Sequence, residues 1–166
     1  MEIKLTLALP RDELSVPVVR RILKNSMQTL GVRRDVISDI ELALTEAATN
    51  ALDHAQNGGE YEVSAGIDGH RCIIEVLDRG NGFDGEALGH LEADVRAEDG
   101  RGIQLMRASV DKVTFDSRPT VGTVVHLEKI LEWDEGSVIK QLTENHPAIE
   151  HGPWHSDDTQ DVPAPP

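Results

Sequence analysis

The sequence predicts an α/β (α+β) two-layer sandwich, a mixed and mainly antiparallel sheet with helices on one face. Three observations carry this expectation. Ile3-Lys4-Leu5-Thr6-Leu7-Ala8-Leu9 alternates with the period of a half-buried strand and stops at Pro10. Tyr61 to Ile67 and Arg71 to Leu77 flank Asp68-Gly69, the composition of a tight hairpin turn. Between that first strand and the hairpin, Ile37, Ile40, Leu44, Ala48, Ala51 and Ala55 recur at three- and four-residue spacing, the buried stripe of a long helix.

Taken in order, Ser15 can cap a first helix that has Pro17 in its first turn and runs from Val18 to Leu30, ending at Gly31. The second helix spans Arg33 to Ala55, and Asn57-Gly58-Gly59 breaks the chain before the hairpin. Phe83 to Asp99 is a polar, acidic connection without a periodic pattern, longer than a turn and more suited to a lid. Gly102 to Ser109 reads as helix, and Val113-Thr114-Phe115 with Val121 to Ile130 as a closing strand pair around Pro119. The folded domain is therefore expected over residues 1–131. Glu132 to Pro166, rich in Pro, Asp, Glu and His, has too few apolar residues to offset its ordering entropy and is expected to be a mostly disordered tail, with at most a short helix near Gln141 to Asn145. His146, His151 and His155 share no helical face and have no cysteine beside them, so a solvated tail fits better than a metal tract.

Bulk properties narrow the function classes. The chain of 166 residues is long enough for one domain with a core, and with aromatics at 3% that core must be built mainly from Leu, Ile, Val and Ala. A net charge of −14 repels nucleic acid and anionic lipid. It does not exclude phosphate ligands, because backbone dipoles and a bound cation act locally. Cys72 is the single cysteine, so no internal disulfide forms, and its place in an apolar strand suggests a buried, inert thiol. With no signal-peptide pattern at Met1 and no stretch of roughly 20 apolar residues, a cytoplasmic location and no membrane contact are expected.

Three motifs carry chemistry. On the second helix Glu46 and Asn50 stand one turn apart, opposite the apolar stripe and facing outward, with Asp53 on the same side. An Asn carbonyl suits Mg²⁺, and a carboxylate one turn away can orient or deprotonate a nucleophile. A plain solvated helix face explains the same pair, although Thr45, Thr49 and Asn50 are poor helix formers in mid-helix. Next, Asp78 ends a strand and is followed by Gly80 and Gly82; a buried Asp there can accept from an exocyclic amine, while the glycines permit close approach to a ring or phosphate. An Asp-Gly turn is the ordinary alternative. Finally, Gly100-Arg101-Gly102 opens a helix whose free N–H groups attract phosphates. No Lys-Ser or Lys-Thr follows, so it is not a P-loop, and Gly80-x-Gly82 lacks the third glycine of a dinucleotide fingerprint. The Thr123 hydroxyl, after Gly122, can complete a base pocket.

In order and spacing these residues resemble the GHKL (Bergerat-fold) ATPases from about residue 3 to residue 130. Glu46-x-x-x-Asn50 is similar to their N box, Asp78-x-Gly80-x-Gly82 and Gly100-x-Gly102 to their two glycine boxes, and Gly122-Thr123 to their final Gly-Thr motif. Without long dimerisation helices, a phospho-acceptor His segment or a transducer domain, the compact form around Glu46 to Ala55 resembles the bacterial anti-sigma-factor serine kinases. The resemblance implies an enzyme, a serine/threonine protein kinase that binds ATP and Mg²⁺, holds a sigma factor and phosphorylates a Ser or Thr on an anti-anti-sigma partner. It implies Glu46 as catalytic base, Asn50 as Mg²⁺ ligand and Asp78 as the adenine-binding acid. Gly80 and Gly82 would shape the pocket, Gly100 and Gly102 would contact phosphates, and Thr123 would support the base. Arg101 is placed to reach the terminal phosphate or simply to face solvent; His54 matches the family pattern and reads as structural; Arg20 and Arg21 lie on a helix surface that can form a partner face. Dimers are common in this family, and no residue here marks the interface. An ATP-gated protein-binding regulator without phosphotransfer is the alternative.

Overall fold

The computed structural model describes residues 2–53, 59–78, 100–118 and 122–145. Along the chain these form β1 (Glu2–Pro10), α1 (Ser15–Leu30), α2 (Arg34–Asp53), β2 (Glu60–Asp68), β3 (Arg71–Asp78), α3 (Gly100–Ser109), β4 (Lys112–Arg118), β5 (Gly122–Ile130) and α4 (Val138–Asn145). The strands form one sheet in the order β1-β2-β3-β5-β4, and every pairing is antiparallel. The mixed sheet expected from the sequence is thus corrected to an antiparallel one. The connection through α3 does return β4 in the direction of β3, but β5 inserts between them and converts that parallel relation into two antiparallel pairings.

Burial alternates strictly along β2 and β3. Tyr61, Val63, Ala65 and Ile67 from β2, with Cys72, Ile74 and Val76 from β3, supply one wall of the core, and the helices cover it. Asp78 is in phase with that apolar row, so the strand period carries a carboxylate to the helix side of the sheet. Burial pushes the Cys72 thiol up to about 12, which matches the inert role read from the sequence.

On α2 the predicted stripe residues Ile37, Ile40, Leu44, Ala48 and Ala51 are buried, and Val36, Ala43 and Ala47 are buried as well. The apolar arc is wider than a one-sided helix requires because α2 packs against α1 and α3 in addition to β3 and β5. Alanines on that arc leave room for the neighbouring helices to approach. Lys129 locks the arrangement: its Nζ donates to Asp39 Oδ2 on α2 and to the Ser109 carbonyl at the end of α3, both at 2.8 Å. A cation on the last carbonyl of α3 also complements the helix dipole.

Ser15 does not cap α1. Leu14 occupies the cap position with helical angles (φ −68, ψ −19) and no side-chain capping bond. The buried Ser15 hydroxyl instead donates to the Asp12 carbonyl at 2.6 Å and accepts from the Tyr61 hydroxyl at 2.8 Å, tying the helix entrance to β2. The turn itself is closed by Asp12, whose Oδ1 accepts from the Leu14 N–H at 2.8 Å.

The second correction concerns the tail. Residues 132–139, part of a segment expected from composition to be mostly disordered, are packed against the α1–α2 corner, and the short helix allowed near Gln141 to Asn145 is present as α4. Val32 and Trp133 form a bridge, the Arg33 N–H donates to the Glu132 carbonyl at 2.9 Å, and the Asp134 N–H donates to the Gly31 carbonyl at 2.8 Å. Ser137 and Ile139 are buried there. Sparse apolar residues suffice because the corner supplies a preformed surface. Residues 146–166, with the three histidines, lie outside the described residues.

Gly31 is the pivot of this contact. Its φ is +88, and a Cβ there would stand 2.5 Å from Ser137 Cβ and 2.9 Å from Ser137 Cα. Left-handed strain and a clash with backbone act together. Gly31→Ala is expected to cost about 2–4 kcal/mol in urea unfolding. A loss under about 1 kcal/mol would mean that residues 131–145 swing away without consequence for the core.

Candidate functional site

Glu46 and Asn50 sit one turn apart on α2, and both are half-buried. The first turn of α3 lies against them. A Cβ on Gly102 would stand 2.9 Å from Glu46 Oε2, 3.7 Å from Asn50 Oδ1 and 3.9 Å from Asn50 Nδ2. The glycine motif at the start of α3 and the acid–amide pair of α2 therefore form one cluster, and a side chain at position 102 would fill the space that joins them. The positive end of α3 faces a carboxylate, a favourable pairing in itself. Arg101, on the same turn, is exposed. Gly100 starts the helix rather than preceding it.

At the C-terminal end of β3, Asp78 is 8% exposed. The sheet register places it between Tyr61 on β2 and Thr123 on β5, so the hydroxyl predicted to complete the base pocket is the direct cross-strand neighbour of the predicted base-reading acid. Gly80, Gly82, His54 and the connection Phe83 to Asp99 fall outside the described residues.

Sequence reasoning missed Arg11. Its guanidinium forms an ion pair with Asp78 through Nη2 and Oδ1, and only 6% of its side chain is exposed. Nη1 also lies 3.5 Å from the Ala51 carbonyl, in the last turn of α2, and Nε 3.4 Å from the Glu60 carbonyl. No local sequence pattern marks Arg11; the β1–β2 register, in which Pro10 pairs with Glu60, brings the next residue level with the β2 entrance. Through Ala51, Arg11 links Asp78 to the turn of α2 that carries Asn50.

The donor set decides what the site can hold. No group of three His, Cys, Asp or Glu residues that could cage a metal ion occurs among the described residues. One carboxylate and one amide oxygen beside a helix N-terminus instead fit Mg²⁺ delivered with phosphates, since that ion keeps waters and takes few protein ligands.

Residues 9–129 match the model of the histidine kinase-like ATPase domain. The chain belongs to this GHKL ATPase family, within its RsbW and anti-sigma F factor group, and membership implies ATP binding. It is 31% identical to the serine-protein kinase RsbW of Bacillus velezensis over 151 residues, covering 82% of this chain and 93% of that protein. It is 33% identical to the RsbW of Halalkalibacterium halodurans over 138 residues (78% and 84% covered). The anti-sigma F factor of Thermoanaerobacter sp. is 31% identical over 105 residues, covering 60% of this chain and 73% of that protein. The crystal structure of the RsbU and RsbW domains of a Mycobacterium tuberculosis protein superposes with a TM-score of 0.59 at 20% identity, covering 78% of this chain and 32% of that longer one. That likeness shows the fold: an antiparallel sheet with helices packed on it. No helix among the described residues is long and apolar enough to cross a membrane.

Proposed function

We propose that the chain is an ATP-dependent serine/threonine protein kinase acting as an anti-sigma factor, which holds a sigma factor and phosphorylates a Ser or Thr of an anti-anti-sigma partner. The observation that carries this reading is the convergence of Glu46, Asn50 and Gly102 at the N-terminus of α3. The named relatives support it, being serine-protein kinases and an anti-sigma factor.

Mg-ATP, when bound, supplies the phosphoryl group and the charge neutralisation that in-line transfer requires. Asn50 would hold the Mg²⁺ through its side-chain oxygen. The N–H groups at the start of α3 would bind phosphate oxygens, with Gly100 and Gly102 leaving room for them. Glu46 orients the partner's hydroxyl and takes its proton at a carboxylate oxygen. Asp78 accepts from the exocyclic amine of adenine, Thr123 supports that contact from the adjacent strand, and Gly80 and Gly82 shape the pocket beyond Asp78.

The test has two stages. Calorimetric titration with Mg-ATP, Mg-ADP and Mg-GTP should give micromolar, adenine-selective binding, about −8 kcal/mol for ATP. Labelled ATP with an anti-anti-sigma protein of the same organism should then yield a phosphoprotein. Selective binding without transfer would leave an ATP-gated binding regulator; no binding would remove both readings. Asn50→Ala carries a separate expectation: its Mg-ATP affinity should fall to the value that the unmodified chain shows in EDTA. An affinity that still responds to magnesium would place the ion on other ligands.

A further inference from the structure

Arg11 belongs to none of the motifs, yet it is the most enclosed cation among the ion pairs of the described residues, with 6% of its side chain exposed. We propose that Arg11 is a positioning residue for base selection, acting through Asp78 to hold its carboxylate charged and fixed so that it accepts an amine and rejects a carbonyl. The inference rests on the reading of Asp78 as the adenine-binding group.

Four contacts hold Arg11 in place. Its backbone N–H donates to the Gly59 carbonyl at 3.0 Å. Its guanidinium meets Asp78 Oδ1, lies 3.5 Å from the Ala51 carbonyl and lies 3.4 Å from the Glu60 carbonyl. The end of β3, the last turn of α2 and the start of β2 are thereby joined by one planar group. A lysine ammonium cannot reproduce that fork. A carboxylate offers about four lone-pair positions on two oxygens, so a guanidinium on Oδ1 is compatible with an amine donor on the same group.

The chemistry of selection follows from charge. Adenine presents an amine where guanine presents a carbonyl. An ionised carboxylate only accepts, so it pairs with the amine and repels the carbonyl. A buried carboxylate that loses its cation is costly and tends to take up a proton, and a protonated acid also donates. It would then tolerate the guanine carbonyl. Arg11 thus controls which base Asp78 reads, without touching the nucleotide itself.

Titration of the full chain with Mg-ATP and with Mg-GTP decides the matter, comparing the unmodified protein with Arg11→Met, Arg11→Lys, Asp78→Asn and the Arg11→Met/Asp78→Asn pair. Arg11→Met should reduce the ATP-over-GTP preference by about tenfold or more. Asp78→Asn should do the same, and the double variant should lose no more than the worse single one, since both act through one carboxylate. Arg11→Lys should fall between the unmodified chain and Arg11→Met. Equal weakening of ATP and GTP in Arg11→Met, or losses that add in the double variant, would reduce Arg11 to a structural strap and overturn the proposal. If circular dichroism shows Arg11→Met unfolded, Arg11→Lys decides alone, and an unchanged preference there overturns it. An unmodified chain that binds neither nucleotide, or both equally, would remove the reading of Asp78 and the proposal with it; selective binding that survives Arg11→Met removes the proposal only.

Discussion

Glu46→Gln is expected to lower phosphotransfer by about 10²–10⁴-fold, the usual contribution of a positioned general base. Glutamine keeps the length and shape of the side chain that abuts Gly102, so the space between α2 and α3 is preserved. What it removes is the proton acceptor and one negative charge. Loss of that charge beside the positive end of α3 should cost only about 0.3–1 kcal/mol of stability. Mg-ATP affinity, which depends on Asn50, Asp78 and the α3 amides in this scheme, should change little. Single-turnover transfer from labelled ATP, alongside calorimetry, separates the two quantities. Transfer at the unmodified rate would assign Glu46 to packing against α3 and leave deprotonation to the partner's own surroundings.

Local pattern and long-range register contributed differently to what the sequence revealed. The apolar stripe of α2 was legible because helical period is a property of neighbours three and four apart, and Ile37, Ile40, Leu44, Ala48 and Ala51 are all buried. The hairpin of β2 and β3 was legible from Asp68-Gly69 and from alternation. Asp78 and Thr123 were each picked out separately, and the β3–β5 register makes them neighbours. The partial burial of Glu46 and Asn50 was not legible, because it depends on α3 arriving over them from beyond residue 99. Arg11 was invisible for the same reason: its partners Ala51, Glu60 and Asp78 are 40, 49 and 67 residues away. Composition misled at Trp133 and Ile139, where few apolar residues meet a surface already built by Gly31 and Val32. Ser15 shows the limit of capping rules, since a buried tyrosine hydroxyl competed successfully for its oxygen.

Gly102→Ala should move stability and activity in opposite directions. The position lies within the first turn of α3, where alanine is favoured over glycine by up to about 1 kcal/mol. No backbone conformation forbids it, because Gly102 is helical and lacks a positive φ. The new methyl would stand 2.9 Å from Glu46 Oε2, which is closer than packed atoms tolerate, but that oxygen ends a flexible side chain and can rotate away. The fold therefore absorbs the change at little cost, and the melting temperature should hold or rise. In the proposed mechanism the site cannot absorb it: the carboxylate would leave the position assigned to it beside the partner's hydroxyl, and a displacement on the order of 1 Å costs about 10²-fold in rate. Nucleotide affinity should fall too if phosphate binds at the start of α3 as proposed, since the methyl would stand within 4 Å of the Asn50 amide. A variant that melts earlier and transfers poorly would locate the constraint in helix packing. One that melts later and transfers poorly would show that glycine is kept at position 102 for the chemistry, against the preference of its own helix.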